Sequence, residues 1–383
     1  MSKGSDHVKT PAFWSELCAN RLRFRRLVKM LRDMHGISLF VPILTGTDDQ
    51  RLTDFRRFCS GPLEGKKHPW DEVLRRVPLR TRWSVHFSLF LFRKTLPPKN
   101  PSISDYISSI TSAPPTPDAD FVAHARKEVK RLFPIGWDRK YDLKVGRATV
   151  STAACSQVSR ADGGNRAWWL DDENPRGEFC AAAIGKYTYN EPPPSKVMKV
   201  ETSGKIRILT KPPAEFSLLQ PFSSMMYDHL STFDWLLRGD AKSKSFRNFE
   251  CKEGELFVSG DYESATDNLN SEVQKEIMQV ILDRSLCVPA DIKRLAYYSL
   301  QSRLSYEDGD VERVVQQRNG QMMGFLTSFP LLCLVNYIAF TYVMGRDVPV
   351  RINGDDIVFR STPERNARWM ASVEKAGLKL SVG

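Results

Sequence analysis

The stretch Val350-Arg-Ile-Asn-Gly-Asp-Asp-Ile-Val-Phe359 consists of two apolar runs separated by an Asn-Gly pair. Asn-Gly between apolar runs is the strongest short-range signal for a β-hairpin, because both residues tolerate the positive φ of a tight turn. The stretch therefore predicts a hairpin with buried strands. Two adjacent carboxylates, Asp355 and Asp356, are carried at its tip or just after it.

A third carboxylate follows another short apolar run. Leu256-Phe-Val reads as a buried strand that leads into Gly260-Asp261. If this strand is a neighbour of the hairpin, three aspartates meet at one end of a sheet. Mg²⁺ prefers oxygen ligands, and nucleotidyl transfer uses two divalent ions about 4 Å apart. A Gly-Asp-Asp tripeptide occurs by chance in roughly one chain in ten of this length, so its surroundings must decide.

The composition favours a polyanionic partner. Lys and Arg outnumber Asp and Glu by 56 to 45 over 383 residues, a net charge of +11. Such an excess is typical of proteins that bind RNA, DNA or an anionic membrane surface. The seven cysteines include no Cys-x-x-Cys pair, which argues against a disulfide framework and a Cys-rich zinc site. A reducing, cytosol-like compartment is expected.

Apolar periodicity predicts several further elements. Residues 13–34 and 120–133 read as basic amphipathic helices, and the Pro/Ser-rich stretch 96–117 between them reads as a loop or linker. A helix with an apolar stripe follows Asp261, with Asp267 or Asn268 as its cap. Residues 324–345 carry no charge. Pro330 and Asn336 interrupt this run, so a helix buried on all sides fits better than a membrane span.

A basic hairpin is predicted before these elements. Apolar and basic residues alternate from Lys196 to Lys211 on both sides of a Ser203-Gly204 turn. Alternation of this kind places one set of side chains on each face of a strand pair. The cations, Lys205 and Arg207 among them, are expected to project from one face.

Four segments, taken together, resemble a known family. Gly204-Lys-Ile-Arg-Ile-Leu209, Gly260-Asp-Tyr-Glu-Ser-Ala-Thr-Asp-Asn-Leu269, Gly320-Gln-Met-Met-Gly-Phe-Leu-Thr-Ser-Phe-Pro-Leu-Leu-Cys-Leu-Val-Asn336 and Asn353-Gly-Asp-Asp356 are similar to motifs F, A, B and C of right-hand viral RNA polymerases, in that order. The amino-acid sequences of these motifs resemble those of narnaviruses and above all of ourmia-like viruses, the botourmiavirus family. Phe133-Pro-Ile-Gly-Trp-Asp-Arg139 resembles that group more weakly. The motifs cover residues 196–383, about half of the chain.

The resemblance implies an RNA-directed RNA polymerase, a nucleotidyltransferase that replicates a positive-strand RNA genome. Asp261, Asp355 and Asp356 would be catalytic and would hold two Mg²⁺ or Mn²⁺ ions, the first two at both ions and Asp356 at one. The remaining matched positions would serve the substrate. Lys205 and Arg207 would bind the triphosphate, and Asp267 would lie near the ribose 2′-hydroxyl. Ser328 and Asn336 would complete the hydrogen bonds that distinguish ribose from deoxyribose, and Gly320 and Gly324 would let their loop flex as the template advances.

The same resemblance implies an α+β fold, a right-hand polymerase with fingers and an RRM-like antiparallel palm sheet. Residues 1–119 would form a basic N-terminal extension, 120–255 the fingers with the NTP-binding hairpin, and 256–383 the palm with motifs A, B, C and the start of D. Residues 376–383 resemble motif D, cut off before the family's usual lysine; Lys379 stands earlier. We therefore expect a C-terminally truncated chain, or one part of a divided polymerase, with the thumb missing or truncated.

The expected partners are single-stranded RNA template, nascent RNA, NTPs and host or viral replication factors, with no transmembrane segment. The host cytoplasm is the expected location, with the mitochondrion as an alternative that the sequence does not indicate. Two other functions stay open. A reverse transcriptase shares the palm but typically has an aromatic residue near the paired aspartates, where this chain has Asn353-Gly354. A non-enzymatic RNA-binding protein explains the charge but not three carboxylates in motif context.

Overall fold

In the described part of this mixed α+β chain nine helices precede the first strand, and helices and strands are interspersed after it. The computed structural model describes residues 11–63, 67–98, 100–169, 175–186, 191–202, 205–247 and 249–381, without the side chains of 11–17, 175, 202 and 205. The helices are α1 (Pro11–His35), α2 (Asp48–Ser60), α3 (Asp71–Leu74), α4 (Leu79–Arg93), α5 (Ile103–Thr111), α6 (Ala119–Leu132), α7 (Tyr141–Arg147), α8 (Gly164–Trp169), α9 (Pro175–Ala183), α10 (Gln220–Leu230), α11 (Ala265–Asn268), α12 (Ser271–Asp283), α13 (Ala290–Tyr298), α14 (Ser328–Met344) and α15 (Pro363–Ser372). The strands are β1 (Ser195–Thr202), β2 (Lys205–Lys211), β3 (Leu256–Gly260), β4 (Arg303–Asp308), β5 (Val311–Gln316), β6 (Val350–Asn353) and β7 (Asp356–Ser361). Short 3₁₀ helices occupy Ala214–Leu219, Ser243–Phe246 and Val373–Ala376.

The chain divides into two compact units. The first takes the chain up to Pro101 and the strand ends Val200–Arg207, and the second takes Ser102–Lys199 and the chain from Ile208. In the first unit α1, α2 and α4 surround the buried ring of Phe24, whose centroid lies 5.0 Å from that of Phe55. The predicted basic helix at 13–34 is confirmed as α1. The division at residues 119 and 255 into extension, fingers and palm stays a prediction.

The core of the second unit is built on α12 and α14. Fourteen of the seventeen residues of α14 are buried, because a helix that is apolar on all sides must be covered on all sides. This confirms the predicted core helix, although it begins at Ser328 and not at Gly324. No helix in the described part of the chain is both long and apolar enough to cross a membrane.

Two predictions about local structure are wrong. The stretch 96–117 contains a helix, α5, whose Ile107 and Ile110 are buried in the core; apolar residues three apart outweigh the flanking prolines. The helix after Asp261 is capped by Asn270, and not by Asp267 or Asn268. Its Oδ1 accepts hydrogen bonds from the N–H groups of Glu272 and Val273, at 3.0 and 3.3 Å. The two predicted caps lie instead inside the short helix α11.

Two sheets carry the strands. One has the order β2-β1-β4-β5, with β1 parallel to β4, and the other is antiparallel with the order β3-β7-β6. The predicted basic hairpin and the predicted aspartate hairpin are both confirmed as neighbouring strand pairs. Isolated bridges extend the antiparallel sheet at both edges, Tyr262 to Leu380 beside β3 and Leu236 to Ile352 beside β6. The apolar residues of β6 and β7 alternate inward, where Phe359 contacts Phe340 of α14 and Trp369 of α15.

Candidate active site

Strand register brings the three aspartates to one end of the antiparallel sheet. Gly260 pairs with Ile357 across β3 and β7, and Asn353 pairs with Asp356 across β6 and β7. One step beyond the first pair, Asp261 lies alongside Asp356. The turn is one residue later than the sequence indicates: Asn353 is in β6, and Gly354, with φ +68°, and Asp355 are its central residues. The structure thus brings Asp261, Asp355 and Asp356 together.

The carboxylates act on one another electrostatically. Burial, and then the charges of Asp355 and Asp261, raise the pKa of Asp356 above its ordinary value. Like charges in one site disfavour ionisation, and a cation bound between them would relieve that repulsion. Asp261 and Asp356 are exposed while Asp355 is half-buried, so a ligand from solvent has access to this end of the sheet.

Oxygen donors of this kind suit Mg²⁺ or Mn²⁺, which take carboxylate, phosphate and water oxygens. The side chains of the three aspartates are not arranged as a finished metal site. Among the residues that the structure describes, no group of three or more His, Cys, Asp or Glu side chains is arranged to hold a metal ion. Asp261 Oδ2 lies 3.5 Å from the hydroxyl of Ser381. The two-ion site therefore stays a prediction that rests on donor chemistry and strand register.

Helix α14 holds the aspartate turn from its buried side. The amide of Asn336, which is fully buried, donates from Nδ2 to the carbonyl oxygens of Gly354 at 3.1 Å and Asp355 at 3.3 Å. Its Oδ1 accepts a hydrogen bond of 2.9 Å from the hydroxyl of Tyr262. Burial and the charge of Asp355 raise the pKa of Tyr262, which keeps this hydroxyl protonated as a donor. The residue after Asp261 is thereby linked to the turn that carries Asp355.

The backbone of the turn also rests on a thiol. The N–H of Gly354 donates to Cys333 Sγ at 3.2 Å, and a side chain on Gly354 would approach Phe329 to 3.0 Å. Neither Tyr262 nor Cys333 was predicted as a site residue. The position of Tyr262 next to Asp261 is a weak signal in the sequence. The contact of Cys333 depends on which side of α14 faces the turn, and the residues of the motif do not indicate this.

The predicted substrate positions on α14 are engaged within the protein. The amide nitrogen of Asn336 donates to two carbonyl oxygens, as described, and Ser328 Oγ donates to the carbonyl oxygen of Met322 at 2.9 Å. The ribose-binding role that the resemblance implies for these two residues stays a prediction.

Gly324 is needed for a close backbone approach. Its φ is +110°, and an added Cβ would lie 2.6 Å from the carbonyl oxygen of Thr210 in β2. The N–H of Thr210 in turn donates to the carbonyl oxygen of Met323 at 3.1 Å. Only glycine fits such a contact without displacing backbone. The loop before α14 is therefore fastened to the base of β2, and its predicted flexing stays untested.

Asp267 is half-buried. Burial raises its pKa, although a hydrogen bond of 3.3 Å from the Thr266 hydroxyl acts in the opposite direction. Tyr106 of α5 lies near enough for the Asp267 charge to affect it; burial is the main cause that raises the pKa of Tyr106 to about 12. Tyr106 was not predicted as a site residue, because the stretch around it was read as a loop.

The structure does not place the two predicted triphosphate ligands at the aspartates. The side chain of Lys205 lies outside the described residues. Arg207 is exposed at the end of the strand segment that belongs to the first unit, whereas the aspartates belong to the second. Their role stays a prediction.

The segment that resembles motif D lies beside Asp261. The N–H of Glu263 donates to Lys379 O at 2.8 Å, and the N–H of Ser381 donates to Asp261 O at 2.9 Å. These bonds add residues 379–381 as an edge to β3. The exposed ammonium of Lys379 lies 3.8 Å from the Glu263 carboxylate.

No family model matches the chain. The chain is similar to the RNA-dependent RNA polymerase of Ourmia melon virus (isolate Melon/Iran/VE9), with 36% identity over 146 residues. This match covers 33% of the chain and 17% of the relative's length. A third of the chain is thus similar to part of a viral RNA-dependent RNA polymerase.

Proposed function

We propose that the chain is the catalytic part of a viral RNA-directed RNA polymerase of the ourmia-like group. The observation that carries the proposal is the register that aligns Asp261 with the Asp355-Asp356 hairpin at one sheet end. Similarity to a polymerase of Ourmia melon virus supports the same reaction. The activity is template-directed nucleotidyl transfer from NTPs to the end of a growing RNA strand.

Sheet order supports a polymerase palm. Starting from the edge at Leu380, the order is Leu380, β3, β7, β6. The segment resembling motif D is therefore followed by the strand of motif A and then by the two strands of motif C. This is the order of an RRM-like antiparallel sheet. We assign the second unit to palm and fingers of a right-hand polymerase. The fingers hairpin is β1 and β2, whose ends at Val200–Arg207 belong to the first unit.

The side chains divide the work by position. Two divalent ions, when bound, activate the attacking 3′-hydroxyl and stabilise the triphosphate and leaving group. Asp261 at the end of β3 and Asp355 on the turn provide the carboxylates for them, with Asp356 beside both. Tyr262 and Asn336 hold the turn in position. The cations Lys205 and Arg207 neutralise the triphosphate, and Asp267 lies near the ribose.

Labelled NTP incorporation on a single-stranded RNA template, with Mg²⁺ or Mn²⁺, tests the proposal. Asp355→Ala should reduce incorporation by about a thousandfold, a loss typical of a group that acts on the transition state. Asp310→Ala, in the exposed turn between β4 and β5, is the matched control and should keep full activity. Replacing NTPs with dNTPs separates an RNA polymerase from a reverse transcriptase.

Mn²⁺ binding, followed by electron paramagnetic resonance, gives a second readout that needs no turnover. The parent chain should bind Mn²⁺ and Asp355→Ala should lose that binding. Equal activity, or equal binding, in the parent and in Asp355→Ala would contradict the metal-site assignment. A parent chain that neither incorporates NTPs nor binds Mn²⁺ would overturn the proposed function.

A further inference from the structure

A second charged site lies on the opposite edge of the antiparallel sheet from Leu380. The segment that follows α10 runs parallel to β6: the N–H of Leu237 donates to Ile352 O, and the N–H of Ile352 donates to Trp235 O, both at 2.8 Å. Beyond this contact the segment opens into a cavity of about 670 Å³, which is lined by twelve of the residues between Ser231 and Arg247 and by Arg351. None of the four segments that resemble polymerase motifs includes residues 231–247.

Cations dominate the wall of this cavity. Two carboxylates, Asp234 and Asp240, also line it. We call the site the basic pocket, after its five cationic residues: Arg238, Lys242, Lys244, Arg247 and Arg351. Five positive against two negative groups leave a net charge of +3, in a concave surface that concentrates the field.

Three of the cations have their charge available. Lys242, Lys244 and Arg247 are exposed, and the structure gives none of them an ion pair with another described residue. Arg238 differs, because its guanidinium pairs with Asp228 and lies 4.6 Å from the Tyr227 ring centroid. Exposed cations that face a cavity without carboxylate partners favour an anion from solution.

Arg351 connects the basic pocket to the strand that carries the aspartate turn. Its Nε donates to Ser245 O at 2.7 Å and its Nη1 to Val350 O at 2.8 Å, with the guanidinium 5.1 Å from the Phe249 ring centroid. Burial lowers its pKa, although the charge of Asp234 acts in the opposite direction. A desolvated cation held by two carbonyl oxygens would be stabilised by a bound phosphate.

The distance to the aspartate turn follows from strand geometry. Gly354 is three positions after Arg351, and a strand rises about 3.3 Å per residue, so the turn is roughly 10 Å away along β6. Arg351 and Asn353 alternate with the buried Val350 and Ile352, which puts both on the sheet face turned away from the core. An RNA strand that ends at the aspartates and follows this face passes the basic pocket within a few nucleotides.

We propose that the basic pocket binds the phosphodiester backbone of single-stranded RNA beside the aspartate turn. This inference rests on the proposed function, because the bound strand is template or product only if the chain is an RNA polymerase. Cations spread over residues 238–247 suit a backbone with repeated charges, as in proteins that bind single strands through an electrostatic groove. A free triphosphate would instead need its cations focused on one point.

The test uses the full chain with three charges reversed, Lys242→Glu, Lys244→Glu and Arg247→Glu. Arg351 is left intact because it joins the segment to β6. The matched control reverses three exposed lysines elsewhere, Lys127→Glu, Lys130→Glu and Lys140→Glu. Both variants change the net charge by the same amount, so general electrostatic attraction falls equally, and circular dichroism verifies that each is folded.

Fluorescence anisotropy with a labelled single-stranded RNA, without metal or NTP, measures affinity across a salt series. The pocket variant should bind about 10- to 100-fold more weakly than the control, and its salt slope should fall by about 2, since each lost contact to single-stranded RNA removes about 0.7. Equal affinities and slopes in the two variants would overturn the inference.

Two further arms separate the sources of phosphate and the two proposals. Tripolyphosphate that binds the parent but not the pocket variant, while both bind RNA equally at equal ionic strength, would assign the site to triphosphates and overturn the backbone inference. Repeating the assay in the Asp355→Ala background isolates binding from catalysis. Pocket-dependent RNA binding without any NTP incorporation would sink the proposed function alone, and incorporation with unchanged RNA binding would sink this inference alone.

Discussion

Asn336 contacts both the turn that carries Asp355 and the residue that follows Asp261. Its amide bonds to two carbonyl oxygens of the turn and accepts from Tyr262, the residue after Asp261. A group buried in this way controls where Asp261 and Asp355 stand relative to each other. Because the amide nitrogen already donates to two carbonyl oxygens of the turn, we expect the main effect of Asn336 to be on the positions of the carboxylates.

Asn336→Ala should therefore lower kcat for NTP incorporation by about 10- to 100-fold, because misplaced reacting groups slow a reaction by about this factor. The KM for NTP should change little. Tyr262→Phe should act in the same direction, because it leaves the buried Oδ1 of Asn336 unpaired at about 1–3 kcal/mol. Steady-state kinetics with NTPs and dNTPs measure both. Tyr306→Phe, in β4, is the control. A raised KM with lost ribose selectivity at unchanged kcat would instead support the substrate contact that the resemblance implies.

Asp267 predicts a pH dependence of stability. Its folded-state pKa is raised by burial, so the folded chain keeps this proton to higher pH than the unfolded chain does. The corresponding stability is fully present below the ordinary aspartate pKa of about 3.9, and is lost as pH rises through the folded-state pKa. Asp267→Asn should thus raise Tm at pH 7 and leave it nearly unchanged near pH 4.

Thermal unfolding across pH 4–8 checks this expectation, with Asp310→Asn in an exposed turn as the control. A Tm of Asp267→Asn at or below that of the parent at pH 7 would show that the carboxylate is stabilised by a partner when ionised. The same variant, assayed with NTPs and dNTPs, reports whether the carboxylate also serves the ribose.

At the scale of elements, one buried carboxylate organises the loop between α12 and α13. Asp138 is fully buried and accepts hydrogen bonds from the Ser285 hydroxyl and from the N–H groups of Leu286, Cys287 and Val288. Burial alone would raise its pKa, but these bonds outweigh it and hold the pKa below the ordinary value. The weak motif at Phe133–Arg139 thus has a structural explanation.

Asp138→Ala should reduce the free energy of unfolding by about 3 kcal/mol or more, because three backbone N–H groups lose a charged partner in a buried place. Asp142→Ala, on the exposed side of α7, should change it by less than about 0.5 kcal/mol. Urea unfolding compares the two. The depressed pKa also predicts that the contribution of Asp138 is present above the ordinary aspartate pKa and is lost as pH falls through the folded-state pKa.

Elements with strong local patterns could be predicted from the sequence. The hairpin β6-β7, the helix α14 and the basic helix α1 each carry a repeated spacing or a turn signal, and the structure confirms them. The cap at Asn270 could not be predicted, since Asp267, Asn268 and Asn270 are all competent caps and only tertiary packing selects one. The basic pocket could not be predicted either, because tertiary packing brings its residues together. Arg351 and Lys242 are over a hundred positions apart in the chain.

On the scale of the whole molecule, the two units have separate hydrophobic clusters. One contains buried residues from Phe24 to Leu96, and the other contains buried residues from Ile107 to Leu378. Because the clusters share no residue, a cavity in one should weaken mainly its own unit. Local stability is then a property of each unit.

Phe24→Ala and Phe340→Ala are a matched pair for this expectation, since both rings are fully buried and each cavity costs about 3–5 kcal/mol. Hydrogen exchange with mass spectrometry should show faster exchange in 18–98 for the first variant and in 256–381 for the second. Acceleration of both regions by either substitution would mean that the units unfold together.

The thiol of Cys333, which lies under the aspartate turn, can report on opening of that turn through its reaction with an alkylating reagent. Burial raises the pKa of Cys333 to about 12 and leaves almost no thiolate, so an alkylating reagent reaches it only when the turn lifts from α14. Cys18, Cys251 and Cys287 are exposed and would react first. After they are replaced by serine, the alkylation rate of Cys333 measures how often the turn opens, and a ligand that bridges the aspartates should slow it.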